Sequence, residues 1–158
     1  MSYPTIAAAV IMERTALQNR WQSETWQAAG VVPDREPQVS PARLLHEEGA
    51  RARWLHPGFM LRLFTDEAEG YYLNLSSPSP FVFINWEEQG DLGVPKSVTV
   101  SYNEAARMMD GGARVDGVPM PGEWVPWLAE FVRLHYRPEP KEKRIRPPSF
   151  KGARRDES

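Results

Sequence analysis

Residues 6–12 read Ile-Ala-Ala-Ala-Val-Ile-Met, and both alternating sets of side chains in this run are apolar. On a strand, Ile6, Ala8, Val10 and Met12 share one side, and Ala7, Ala9 and Ile11 the other. Such a run has no face suited to water, so it reads as a strand covered on both sides. It is far shorter than the ~20 apolar residues that cross a membrane. Glu13 and Arg14 close it, and no Lys or Arg precedes it, so it lacks the basic start of a secretory leader. The expectation is a soluble, cytoplasmic protein that makes no membrane contact.

The following elements are read from punctuation and period. Residues 24–32 form a second strand, ended by Pro33-Asp34. Residues 33–50 are a loop rich in Pro, Glu and Arg, with one or two helical turns at 41–48. Residues 51–56 and 59–64 make a hairpin around His56-Pro57-Gly58, since Pro and Gly supply turn geometry. Residues 81–86 are aromatic and β-branched, a strong strand. A turn-rich connection over 87–95 leads to an antiparallel partner at 97–101, and Asp116-Gly117 marks a further turn.

Three helices are expected. Asp66 and Glu69 have the capping spacing ahead of Ala68, Tyr71, Tyr72 and Leu75, which share one face. Gly70 within it costs about 1 kcal/mol against alanine, so this helix must lean on tertiary packing. Ser101-Tyr102-Asn103-Glu104 is a capping box, and Asp110-Gly111-Gly112 stops the helix it opens. Tyr102, Ala105, Ala106 and Met109 fall on one side of that helix. The last helix spans about 122–136, with Trp124, Trp127, Leu128, Phe131 and His135 as its inward stripe. Pro126 is tolerable there only in the first turn.

The fold class is therefore α+β: a mainly antiparallel sheet of about six strands with three short helices and a disordered basic C-terminal tail. The 158 residues divide into a single domain over 1–137 and a proline-rich tail over 138–158. The tail carries Ile145 and Phe150 but few other large apolar groups, too little to offset the entropy of ordering it. Charge divides at the same place. Residues 137–158 hold eight basic and four acidic residues, a net of +4, against 11 basic and 17 acidic in residues 1–136, a net of −6.

The chemistry is constrained mostly by what is missing. Without cysteine there is no disulfide, no thiolate metal site and no thiol nucleophile. His46, His56 and His135 lack metal-ligand spacing. His46 reads as a solvated loop residue, and His135 suits the negative end of the last helix. No nucleophile elbow, phosphate loop or dinucleotide fingerprint is present. Asp110-Gly111-Gly112 ends a helix, whereas phosphate sites favour a helix start. Adjacent acids such as Glu47/Glu48 and Glu87/Glu88 point to opposite faces of a strand. No catalytic, cofactor-binding or metal-ligating residue is expected, no cofactor, and no enzymatic activity.

Two features suit partner binding. Arg20, Trp21 and Trp26 form one, since Trp and Arg dominate interface hot spots; Trp26 is expected in the core and Trp21 outside it. Lys141, Lys143, Arg144 and Arg146 form the other. This basic run reads either as a grip on an acidic protein or as a solubilising end. Nucleic acid is not expected, because the acidic body opposes phosphate.

The segments Ala9-Val10-Ile11-Met12-Glu13-Arg14, Asn19-Arg20-Trp21-Gln22-Ser23 and Gly30-Val31-Val32-Pro33, with Trp26, resemble a bacterial family known as domain of unknown function 3305. So do Tyr71-Tyr72-Leu73-Asn74-Leu75, the strand at 81–86, Val118-Pro119-Met120-Pro121, the aromatic last helix and the basic tail. The resemblance spans most of 5–146, and the chain departs from it in a longer loop at 33–50. Genes of that family typically stand beside those of molybdenum-dependent formate dehydrogenases. The resemblance thus implies a non-enzymatic accessory protein that binds a dehydrogenase subunit or assembly factor. The alternative is a small enzyme or cofactor-binding protein handling a nucleotide or the molybdenum cofactor through Arg and Gly positions near 110–116.

Overall fold

The computed structural model describes residues 3–18, 21, 23–35 and 40–138. Its strands are β1 (Thr5–Ala16), β2 (Glu24–Pro33), β3 (Arg43–Glu48), β4 (Arg51–Arg62), β5 (Phe81–Gln89), β6 (Leu92–Thr99) and β7 (Arg114–Pro119). Its helices are α1 (Ala68–Leu75), α2 (Tyr102–Asp110) and α3 (Trp124–His135), with a 3₁₀ turn at Thr65–Glu67 leading into α1. The strands form two antiparallel sheets, one in the order β2-β1-β4-β3 and one in the order β6-β5-β7. The α+β class stands, with seven strands in two sheets rather than about six in one.

Four local readings change. The expected hairpin at 51–64 is one continuous strand, β4. Ala8 pairs with Phe59 and Val10 with His56, so Pro57 and Gly58 together oppose Ala9. The Pro-Gly pair makes a β-bulge instead of a turn: Gly58 takes a φ of 96°, and proline sits where the ladder is already interrupted. Residues 43–48 are an exposed edge strand, β3, not helical turns. Asp116-Gly117 lies inside β7 opposite Ile84 and Phe83 rather than in a turn. The connection at 87–95 contracts to Gly90-Asp91, with Gln89 paired to Leu92. The tail beyond Pro138 lies outside the described residues.

The core fills the space between the sheets and the helices. Ala8, Val10 and Met12 of β1 point inward with Trp26, Ala28 and Val31 of β2 and Leu61 of β4. They meet Val82, Ile84 and Trp86 of β5, Val118 of β7, Tyr71 of α1, and Trp124, Leu128 and Phe131 of α3. Pro126 lies in the first turn of α3, and His135 is exposed at its end. In α2 only Ala105 is buried; Tyr102 and Met109 stand out in solvent.

Two contacts fix the elements against each other. At the seam of the sheets, the Asp116 carboxylate of β7 accepts the Ala28 N–H of β2 and the Trp86 indole N–H of β5, both at 2.9 Å. At the other contact, Gly70 of α1 faces Ser101, the N-cap of α2. A Cβ on Gly70 would lie 2.1 Å from the Ser101 Oγ. The glycine that weakens α1 as an isolated helix is what lets it pack. Buried Asn74 completes the attachment: its amide donates to the carbonyls of Phe81 and Val100 at 2.8 and 2.9 Å, and its carbonyl accepts the Phe81 N–H at 3.0 Å.

Gly70→Ala adds about 1 kcal/mol of helix propensity but overfills this contact, so a net loss of about 1–3 kcal/mol is expected in urea unfolding. A stabilised variant would show that α1 does not approach Ser101 so closely. Asp116→Ala strands two donors and is expected to cost about 2–3 kcal/mol, with Asp116→Asn recovering part of it through its remaining carbonyl oxygen. Equal stability of all three proteins would remove Asp116 from the seam.

Candidate functional site

The β1–β2 connection is closed by the Leu17 N–H donating to the Ser23 carbonyl at 2.8 Å. It carries Trp21, which is 84 % exposed. The other five tryptophans are buried or half-buried. Beneath the connection, Trp26 is only 8 % exposed, as expected of a core residue. Its indole N–H donates to the Asp91 carbonyl at 3.0 Å. Its ring lies on Gly93, where a Cβ would come within 2.8 Å. Thus Trp26 clamps the β5–β6 turn against the β1–β2 end.

Between these two strand ends lies an open groove of about 460 Å³, with Trp21 on one side and Glu24, Glu88 and Asp91 around it. Glu24 stands 3.8 Å from the Arg14 guanidinium, and Glu88 accepts from Arg114 at 3.3 Å. The same two arginines lie over Trp54 and Trp86, at 5.1 and 5.0 Å from the ring centroids. The groove therefore offers an exposed indole beside carboxylates, a surface suited to an apolar or cationic side chain.

Trp21 and Trp26 are thus brought to one end of the molecule, one displayed and one holding the turn. Arg20 lies outside the described residues, as do Lys141, Lys143, Arg144 and Arg146. Glu88 and Asp91 were not anticipated, because residues 87–95 read as an irregular connection. The two-residue Gly90-Asp91 step between apolar-rich runs is the signal that would have found the hairpin.

A second polar group sits on the opposite side of the first sheet. Glu13 is 4 % exposed. Its carboxylate accepts from Arg53 Nε at 2.7 Å and from the Gln27 amide at 3.3 Å. Burial pushes the Glu13 carboxyl up, but the hydrogen bond and charge of Arg53, the Gln27 amide and the Arg51 charge hold it below the ordinary value. Elsewhere, burial lowers the pKa of His56 and pushes the Tyr71 hydroxyl up to about 12, where it accepts the Phe64 N–H. Among the described residues no group of three or more His, Cys, Asp and Glu is placed to hold a metal ion.

The family described as "Protein of unknown function (DUF3305)" matches residues 7–145. No curated protein and no solved structure matches the chain.

A carboxyl with a depressed folded pKa contributes stability above its unfolded pKa, and that stability is lost as pH falls through the folded value. The native chain is therefore expected to lose stability on acidification below about pH 4, in part through Glu13. Glu13→Gln should flatten the profile in that window. Because Arg53 is half in water, its cost at neutral pH should be only about 1–2 kcal/mol. Urea unfolding at stepped pH checks both, and parallel profiles for the two proteins would contradict the assignment.

Proposed function

The chain belongs to the DUF3305 family of proteins of unknown function, and from that premise we propose that it is a non-enzymatic accessory protein. In this reading it binds a protein partner during assembly or maturation of a molybdenum-dependent formate dehydrogenase, and it works in the cytoplasm. The observation that carries the binding role is Trp21. A tryptophan side chain left largely in water forgoes about 2–3 kcal/mol of burial, which a partner surface would recover. Its place beside the groove that Trp26 and the Gly90-Asp91 turn help to frame supports the same reading, since a concave surface next to an exposed indole can take a partner side chain. The dehydrogenase enters through the gene neighbourhood typical of the family that the sequence resembles. Lys141, Lys143, Arg144 and Arg146 supply a further, electrostatic contact in this proposal. No helix among the described residues is long and apolar enough to cross a membrane, which is consistent with it.

A tagged chain is expected to capture a dehydrogenase subunit or assembly factor from cells that express the enzyme. Trp21→Ala should reduce that capture about tenfold or more while leaving the melting temperature unchanged. Recovery of no dehydrogenase or maturation component, or undiminished capture by the variant, would overturn the proposal.

A further inference from the structure

β1 is apolar on both sides, yet the core covers only one of them. The register defines the other side. Arg43, Leu55, Ile11 and Gly30 form one cross-strand row, and His46, Arg53, Glu13 and Gln27 the next. This face stays open: Leu45 is 44 % exposed and Met60 48 %. A concavity of about 710 Å³ opens on it, with Ile11, Leu45 and Ala50 as its apolar part and Glu13, His46, Glu48, Arg51 and Arg53 as its polar part.

Arrangement of the charges indicates what fits there. Both Glu13 oxygens are occupied, so this buried carboxylate serves to hold Arg53 by its Nε edge. The Nη edge of that guanidinium has no acceptor among the described residues. A guanidinium held in this way is pre-set for two-donor recognition of a carboxylate. Arg51 follows on the same face, and neither Arg51 nor Arg43 makes an ion pair among the described residues.

We propose that this open face docks an extended segment of a partner protein whose inward-facing side chains, two residues apart, are apolar and acidic in turn. Its apolar groups meet Ile11, Leu45 and Ala50, and its carboxylates meet Arg51 and Arg53. The chain's own C-terminal tail does not fit the face, being basic with a net of +4. Nucleic acid fits it poorly too, because the floor is apolar and offers no aromatic ring on which a base could stack. This inference concerns a different surface from Trp21 and does not require the dehydrogenase.

The test uses the full chain and three probes: a blocked peptide that carries leucine and glutamate in turn at every second position with serine between them, its lysine-for-glutamate counterpart, and a single-stranded oligothymidylate. In NMR titrations the glutamate peptide is expected to bind, with amide shifts concentrated in residues 11–15, 43–48 and 51–55. Arg51→Glu should weaken that binding about tenfold or more and favour the lysine peptide. Leu45→Ser should weaken the glutamate peptide through the apolar contact, and Trp21→Ala should leave it unchanged. Leu45 is exposed, so its variant is expected to keep the melting temperature; Arg51→Glu removes a charge that supports Glu13 and faces Glu48, so a small fall is expected and its binding is read at a temperature where it is folded. Equal binding of the lysine peptide, equal binding of the oligonucleotide, shifts centred elsewhere, or no binding by the glutamate peptide would each overturn the proposal.

Discussion

Two sheets that share no strand need a seam that holds them in one register, and the Asp116 carboxylate supplies it. β2 is an edge strand, so its outward N–H groups are open to water or to another chain. Asp116 takes the one at Ala28 and, with the same oxygen, the Trp86 indole. That places Trp86 inward under Arg114 and sets the depth at which β5 crosses behind β2. Further along the seam, Trp26 reaches across to Asp91 and lies on Gly93. The groove beside Trp21 exists because the β5–β6 turn is held there. A carboxylate in β7 and a missing Cβ in β6 therefore decide the shape of a surface that neither strand forms alone.

The helices depend on a comparable economy of contacts. The Ser101 Oγ accepts the Glu104 N–H at 3.0 Å, as a capping box requires, and donates to Glu67 at 2.6 Å. The return half of the box runs through Thr99. Ser101 N–H donates to the Thr99 hydroxyl, which in turn donates to Glu104. The box thus becomes a junction between β6, α2 and the 3₁₀ turn before α1, and Arg107 closes it by pairing with Glu67. Every polar group drawn into this junction is matched, which is the condition for burying it without a large penalty. Tyr71 then has room to lie against Phe131, ring centroids 5.7 Å apart, and to bind α1 to α3.

What was legible in the sequence follows from how local each signal is. The capping box, the glycine stop after α2, the first-turn proline of α3 and the strand at β5 rest on neighbouring residues, and all are found. The errors fall where a local signal has two solutions. Pro57-Gly58 satisfies a turn or a bulge equally, and the long pairing of β4 with β1 selects the bulge. Asp116-Gly117 has turn chemistry, but Asp116 is used by β2 and Gly117 stands where a Cβ would come 3.3 Å from the Phe81 ring. β3 has no apolar alternation to announce it, because all its side chains are exposed and its pairing comes from β4 alone. Trp21 was legible as an exception among the tryptophans; the groove beside it was not, since Glu88 and Asp91 are brought there only by the seam.

The two-sided apolarity of β1 bears on how the chain tolerates an open apolar face in water. Arg43, Arg51, Arg53 and Arg62 all stand on the open face of its sheet and are themselves exposed. Arginine stems can lie over apolar surface while the guanidinium stays hydrated, and the register sets Arg43 opposite Leu55 and Arg53 two residues before it, the two best placed to shield that apolar patch. The nearby edge is protected by other means. β3 carries Arg43, Glu47 and Glu48, and Leu45 is an extra residue between the pairs Leu44–Trp54 and His46–Arg53. Charges and a bulge on an edge strand discourage the addition of another strand. The face differs from the edge, since its apolar floor lies beside Arg53, which the buried Glu13 holds in place. The feature that makes β1 look doubly buried in sequence is, in the folded chain, one side in the core and one side lined by exposed arginines.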